Sequence, residues 1–423
     1  MDYLFFFIYL IAFCVLINKI PFVKEAGLGS KIIGSLFLYR SIGAVSIGWI
    51  SQKFAPQSDY WYLHGEGILE HEILTSNPKI FLKSLLPLNN DFYVNDFFST
   101  TNSYWNELRN NIIIKLLAVL NFISFGNYYI NALFINGFAF LGSVGLYRTL
   151  LHIYKEKNNL LIFCCFLIPT TIYFSAGVHK DAIVFGALGV YSYALYFMVE
   201  EGFSYKKLVL FLSNFLILML MRNFLLLALI PATIGFLLSK KYAVSNTKIL
   251  ISFLVIGLAF FITAENFFPN LQPLKIITQR KTDFDNLKTA NSHLDSFELK
   301  PTLSSFLKIS PTALNHGFLR PYIWETKNIF SFLLSLELLL FEALILIAAY
   351  FYFKNRNIQK QHFHRFLFYM LLISGIMIVT TGFIVPNYNS IARYRSLFLP
   401  YLLTPILMKL YLIQKSNNFR THG

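Results

Sequence analysis

Residues 58–67 combine two carboxylates with aromatic and histidine side chains. The stretch reads Ser-Asp-Tyr-Trp-Tyr-Leu-His-Gly-Glu-Gly, so that Asp59 and Glu66 stand seven positions apart with Tyr62 and His64 between them. On a helix, a spacing of seven places both carboxylates on one face. Such a pair could act as a general base, or hold a divalent cation (Mg²⁺ or Mn²⁺) beside a phosphate, although no metal is required. The alternative is an amphipathic interfacial helix whose charges are solvated.

A second polar stretch, residues 174–181, lies between two long apolar runs and reads Phe-Ser-Ala-Gly-Val-His-Lys-Asp. Lys180 could bind an anionic lipid phosphate as a point charge, and His179 could transfer a proton. The alternative is a polar turn in which Asp181 caps the helix that follows.

Four arginines stand at the edges of other apolar runs. They are Arg222, Arg320, Arg393 and Arg395. The guanidinium group stays charged at physiological pH and binds phosphate in a bidentate manner. Each one alone could simply extend to the lipid head groups, but the four together favour a role in binding phosphate.

The composition of the chain identifies the environment of these residues. Of 423 residues, 56% are hydrophobic and only 13% are charged, which is too apolar for a soluble fold of this length. The net charge of +15 comes from short basic clusters between apolar runs, which the positive-inside rule explains, so we expect no nucleic-acid partner. The sequence therefore predicts an integral membrane protein in contact with lipid.

Apolar runs of spanning length predict an all-α, polytopic transmembrane helical bundle of about 10–11 spans, with interfacial helices and extracytoplasmic loops. Clear runs cover residues 3–19, 128–151, 158–176, 181–199, 247–265, 329–353, 363–385 and 394–413. Residues 207–239 hold two more, separated at Arg222 and Asn223. Residues 32–50, which contain Arg40, and residues 112–125 could span the bilayer or lie in its interface.

The distribution of Lys and Arg predicts the orientation. Basic clusters in alternate short connections fall on one side, which the positive-inside rule assigns to the cytoplasm. The polar stretches above then face the opposite side, together with an outer region at 51–127 and a long extracytoplasmic loop at 266–328. No linker divides residues 1–423, so we expect a single integral membrane domain.

Several classes of site are missing from the sequence. It has no P-loop, dinucleotide-binding fingerprint or zinc motif, so energy would come from an activated lipid substrate or an ion gradient. Its three cysteines, Cys14, Cys164 and Cys165, lie inside apolar runs and suggest neither disulfides nor a metal site.

The arrangement resembles the GT-C superfamily of integral membrane glycosyltransferases, particularly its bacterial cell-envelope members. The similar parts are the Asp59-Tyr60 segment after the first hydrophobic runs, the turn 175–181, and Arg393 with Arg395 before the last helix. The chain departs from the family in lacking paired acidic residues directly after the first helix.

The resemblance implies transfer of a sugar from a polyprenyl-phosphate donor to a cell-envelope glycan or lipid acceptor on the outer, extracytoplasmic face of a bacterial inner membrane. Asp59 would then be the catalytic base with Glu66 in support, and basic residues would neutralise the leaving lipid phosphate. These are Lys180, Arg222, Arg393 and Arg395, with His179 and Arg320 as lesser candidates.

Two other functions are compatible with the sequence. A polysaccharide polymerase or ligase of the O-antigen or capsule type would depend more on Arg320 and the loop 266–328. A transporter or flippase for a lipid-linked glycan would use charged residues along a pathway without making a bond.

Overall fold

The computed structural model describes residues 2–87, 103–241, 246–267, 272–286, 294, 297–354 and 364–421. The fold is all-α, which confirms the predicted helical bundle.

Within the described ranges, six helices are long and apolar enough to cross a bilayer, or seven if one bent pair forms a single span. The six are Ser30–Phe54, Tyr128–Tyr154, Lys180–Glu201, Asn223–Lys240, Ile329–Lys354 and Arg365–Ile384, and the bent pair is Tyr388–Ser396 with Leu399–Lys415. A multi-pass membrane protein follows from these helices. The larger number of spans and the orientation remain predictions.

The two ambiguous segments differ in the structure. Residues 32–50 lie inside the helix Ser30–Phe54, which has the length and composition of a span. Residues 112–125 fall in the helix Tyr104–Ser124 and its C-cap, and this helix is not among the six. The predicted break at Arg222 is confirmed: one helix ends at Met221 and a short 3₁₀ turn precedes the next.

The contacts divide the chain into two compact units. Unit 1 comprises residues 1–157 and 165–224, and unit 2 comprises residues 158–164 and 225–423. The helices of unit 1 are Asp2–Lys19, Pro21–Lys24, Ser30–Phe54, Asp59–Ser76, Pro78–Lys83, Tyr104–Ser124, Tyr128–Tyr154, Pro169–Phe174, Lys180–Glu201 and Tyr205–Met221.

The centre of unit 1 is a close crossing of two of these helices at glycines. Gly142 and Gly189 face each other, and a β-carbon on Gly189 would overlap the Gly142 carbonyl oxygen. Gly186 continues the contact, since a β-carbon on Gly142 would lie 2.7 Å from its α-carbon. Without side chains the backbones approach closely, as at other membrane helix interfaces. This crossing buries the helix Lys180–Glu201, whose first turn carries part of the site described below.

The helix Asp59–Ser76, here called the Asp59 helix, lies against the helix Tyr104–Ser124. Asn121 donates to the Gly67 carbonyl oxygen (3.0 Å), and the buried Lys115 ammonium pairs with Glu70 (2.6 Å). The stretch around Asp59 is therefore helical, which is the condition for Asp59 and Glu66 to share a face, and it lies within the predicted outer region 51–127.

Unit 2 contains the remaining helices around a core of its own. They are Asn159–Ile162, Leu226–Lys241, Asn246–Phe267, Pro273–Asp285, Leu303–Leu314, Ile329–Lys354, Arg365–Ile384, Tyr388–Ser396 and Leu399–Thr421. Phe306 and Ile277, which come from the predicted loop 266–328, belong to the same buried cluster as Phe383 and Ile391. This region is therefore partly helical and packed rather than an extended loop.

Candidate active site

The turn 175–179 is held against the Asp59 helix by its glycine. A β-carbon on Gly177 would lie 2.8 Å from Ile47 Cγ2 and 3.0 Å from the Tyr60 ring. Both distances are shorter than ordinary packing allows, so only glycine permits this approach. The contact brings the residues that follow, including His179, beside the start of the Asp59 helix.

A buried arginine fixes the beginning of the same turn. Arg40 is only 2% exposed, and its guanidinium donates to the Ser175 carbonyl oxygen (2.6 Å) and to Ser175 Oγ (2.7 Å). It also lies over the Phe185 ring, 5.0 Å from the centroid. A cation inside an apolar helix is costly unless it is hydrogen-bonded. Arg40, which made residues 32–50 ambiguous in sequence, therefore serves to order the turn.

His179 is the N-cap residue of the helix Lys180–Glu201 and has an extended backbone conformation. Its Nδ1 accepts a hydrogen bond from the Asp181 backbone N–H (3.2 Å) and satisfies one of the free donors at the helix start. The alternative in which Asp181 caps this helix is therefore wrong, because His179 occupies the cap position. Asp181 lies in the first turn, where the helix dipole favours its negative charge.

Four side chains then form a continuous line. His179 Nε2 lies 3.3 Å from Asp59 Oδ2, His179 Nδ1 lies 3.1 Å from Asp181 Oδ2, and Asp181 Oδ1 is bonded to the Arg222 guanidinium. We call these four residues the Asp59 array. The Asp59 side chain is 56% exposed, whereas the side chains of His179 and Asp181 are fully buried and that of Arg222 is 4% exposed.

The array has an accessible end and a buried end. With Nδ1 accepting from the backbone, the proton of a neutral imidazole lies on Nε2 and points at Asp59. The imidazole thus donates toward the accessible carboxylate and is itself held by the backbone of the next helix. Asp59 is therefore a carboxylate that can meet a substrate while a buried imidazole orients it.

Other predicted residues of unit 1 take lesser positions. Glu66 is half-buried and lies seven residues after Asp59 on the Asp59 helix. Burial raises the pKa of the Tyr62 phenol, and the charges of Glu66 and Glu107 raise it further. Lys180 is the first residue of its helix and is partly exposed, directly after His179. No group of three His, Cys, Asp or Glu side chains in the described part of the chain is arranged to hold a metal ion.

The other three arginines lie in unit 2. Arg395 is 5% exposed and donates to the carbonyl oxygens of Gly317 (3.0 Å) and Arg320 (2.9 Å), where a π-helical turn ends. The Arg320 side chain pairs with Glu325 (3.2 Å), and Arg393 is half-buried over the Tyr394 ring. The structure thus joins Arg320 and Arg395 through the backbone, and Arg395 has an internal structural role.

Sequence reasoning missed two kinds of charged residue. Glu337 and Glu342 lie inside the apolar helix Ile329–Lys354, where Glu342 is close enough to Arg395 to interact electrostatically. Arg40 was noted only as an obstacle to a span. The signal that identifies all three is an ionisable residue near the middle of an apolar run.

Comparisons with protein-family models, with curated proteins and with solved structures gave no significant match. The Asp59 array is therefore the feature of the molecule that indicates a function.

Proposed function

We propose that the protein is a membrane glycosyltransferase that moves a sugar from a polyprenyl-phosphate donor to a cell-envelope glycan or lipid acceptor, with Asp59 as the base. The observation that supports it best is the Asp59 array: an exposed carboxylate whose oxygen faces a fully buried, doubly engaged histidine. The resemblance in sequence assigns the base to the same aspartate.

The proposed reaction uses this geometry as follows. The acceptor hydroxyl gives its proton to the Asp59 carboxylate while its oxygen forms a bond to the anomeric carbon of the donor sugar. The bond between that carbon and the phosphate oxygen breaks, and the polyprenyl phosphate leaves with the electron pair. His179 donates to Asp59 before the reaction, which keeps the carboxylate oriented toward the substrate.

Two basic residues near Asp59, Lys180 and Arg222, have different roles in this proposal. Negative charge develops on the leaving phosphate, where a cation stabilises the transition state. Lys180 is the basic residue that follows His179 directly and is partly exposed, so it is the best candidate for this role. Arg222 has a different partner in the structure, the Asp181 carboxylate, and its part is to hold the buried end of the array.

Incorporation of radiolabelled sugar from a polyprenyl-phosphate donor into lipid or glycan tests the proposal, in membranes with matched amounts of each protein. Asp59→Asn should lower the rate by about 10²- to 10⁴-fold, the usual contribution of a positioned base. Glu72→Gln is the matched control, because Glu72 is an exposed carboxylate on the same helix. Equal activity of Asp59→Asn and wild type would remove Asp59 as the base.

One observation favours a second function, the proton-driven transport of a lipid-linked glycan. The array runs from an exposed carboxylate to a carboxylate that is fully buried in the first turn of the helix Lys180–Glu201. Buried ionisable chains of this kind carry protons in transporters. Movement of a lipid-linked glycan across vesicle membranes without incorporation of label, driven by a pH gradient and lost in His179→Gln, would favour that function.

A further inference from the structure

A cavity of about 460 Å³ opens beside the Asp59 helix, within unit 1. Its wall includes Trp61 and His64 of that helix and the backbone turn 124–127, with Phe125 at the rim, 77% exposed. The volume lies within the range of small-molecule binding sites. The Asp59 array does not use this cavity.

The aromatic wall of the cavity is rigid. The Trp61 and Tyr128 rings are stacked, with centroids 4.2 Å apart, and the His64 ring meets Tyr128 edge-on at 5.3 Å. The Trp61 indole N–H donates to the Gly48 carbonyl oxygen (3.1 Å). A β-carbon on Gly48 would lie 2.5 Å from the Tyr128 ring, so a glycine is needed for this packing. The wall is therefore formed before any ligand arrives.

The polar groups of the cavity are neutral. None of its lining residues is Asp, Glu, Lys or Arg, and its polar side chains are those of His64, Ser124, Asn127 and tyrosines. Burial lowers the pKa of His64 to about 4, and the Gly126 backbone carbonyl offsets this only in part, so the imidazole is uncharged at neutral pH. A phosphate would gain no counter-charge there. A purely hydrocarbon chain would leave His64 Nδ1, which is buried and has no hydrogen-bond partner within the described part of the protein, still unpaired.

We propose that this cavity binds an uncharged sugar ring of the substrate, a subsite that rests on the transferase function proposed above. A pyranose ring has an apolar face of C–H groups and an edge of hydroxyls. The first matches a wall of aromatic rings, and the second matches neutral donors and acceptors. The lipid phosphate of the donor then lies outside the cavity. This agrees with the proposal that Lys180, which does not line the cavity, binds that phosphate.

Binding of uncharged methyl hexopyranosides to the full-length protein in lipid nanodiscs, measured by saturation-transfer NMR, tests this inference. Glucoside and maltoside detergents must be avoided in the preparation because they carry the proposed ligand. Glucose 6-phosphate and farnesol serve as the charged and the hydrocarbon probes.

Substitutions inside and outside the cavity show whether the hexopyranosides bind within it. Trp61→Leu should weaken hexopyranoside binding by about tenfold or more through loss of the aromatic contact. Phe125→Ala, at an exposed rim position, should weaken it without disturbing the fold. Trp49→Leu is the matched control, because Trp49 is 53% exposed and does not line the cavity. Asp59→Asn should bind as tightly as the wild type.

The outcomes decide each proposal separately. Hexopyranoside binding that is lost in Trp61→Leu, reduced in Phe125→Ala and kept in Trp49→Leu and Asp59→Asn supports the sugar subsite. The absence of binding, equal binding by all variants, or preferential binding of glucose 6-phosphate or farnesol overturns it. If binding follows the first pattern while no sugar is transferred, the sugar site stands and the transferase proposal fails.

Discussion

Loss of one charge from the buried pair of Asp181 and Arg222 should destabilise the protein far more than loss of both. In Asp181→Asn the guanidinium of Arg222 loses its carboxylate while its side chain remains 4% exposed. In Arg222→Met the carboxylate of Asp181 loses the guanidinium, and this side chain is fully buried. The double variant carries neither charge and keeps nearly the same volume.

The magnitude follows from burial. Removing one partner of a buried ion pair costs about 3–5 kcal/mol, because the remaining charge stays out of water without its opposite charge. This corresponds to a change of about 10²- to 10⁴-fold in the folding equilibrium. Replacing both members by uncharged groups is often nearly neutral. We therefore expect each single variant to lose about 3–5 kcal/mol and the double variant to lose much less than either, which corresponds to a coupling energy of more than about 3 kcal/mol.

Equilibrium unfolding in mixed detergent micelles, followed by circular dichroism, measures the four free energies of this cycle. Glu25→Gln is the matched control: Arg148 pairs with Glu25 at 2.5 Å, but the Glu25 side chain is 61% exposed, so about 1 kcal/mol or less is expected. A coupling energy below about 1 kcal/mol, or a cost for Asp181→Asn no larger than that of the control, would refute the reasoning.

Three further predictions follow from the geometry of unit 1. His179→Leu removes the donor that orients Asp59, so the rate of sugar transfer should fall by up to about 10²-fold, whereas His179→Gln, which can keep a donor toward Asp59, should lose less, as initial rates of label incorporation will show. Gly189→Ala should cost about 1–3 kcal/mol of unfolding free energy through overlap with Gly142, whereas Gly375→Ala, with open space around it, should be neutral or mildly stabilising. His64 has a folded pKa of about 4, below its unfolded value, so the unfolded chain binds the proton first and stability should fall as the pH drops from about 6.5 to 4, by about 3 kcal/mol; the difference should vanish in His64→Gln.

The helical elements of this chain could be predicted because their cause is local. Apolar runs indicate membrane helices wherever they occur, and a polar pair inside a long run indicates a break, as confirmed at Arg222. The helix beginning at Asp59 was considered from its own residues only as a condition, and the structure shows that it forms. The packed helices within residues 266–328 did not, because their burial depends on contacts with the helix Arg365–Ile384, far away along the chain.

The candidate site shows the same division. Asp59, His179 and Arg222 could be selected from the sequence because an ionisable residue beside an apolar run is costly and needs a reason. Their partners could not be selected. Asp59 and His179 are 120 positions apart, and Asp181 and Arg222 are 41 apart. Sequence alone suggested that Arg222 binds a substrate phosphate, whereas its partner in the structure is a protein carboxylate.

By itself, then, the sequence determined that this is a membrane protein, that its fold is all-α, and which residue types are available for chemistry. These properties depend on composition and on short-range patterns. Tertiary structure decided which charges meet. The Gly142 and Gly189 crossing sets how closely two helices approach, and the rotation of each helix sets which of its side chains face inward. Only that packing turns separate polar residues into an array with an exposed carboxylate at one end and a buried ion pair at the other.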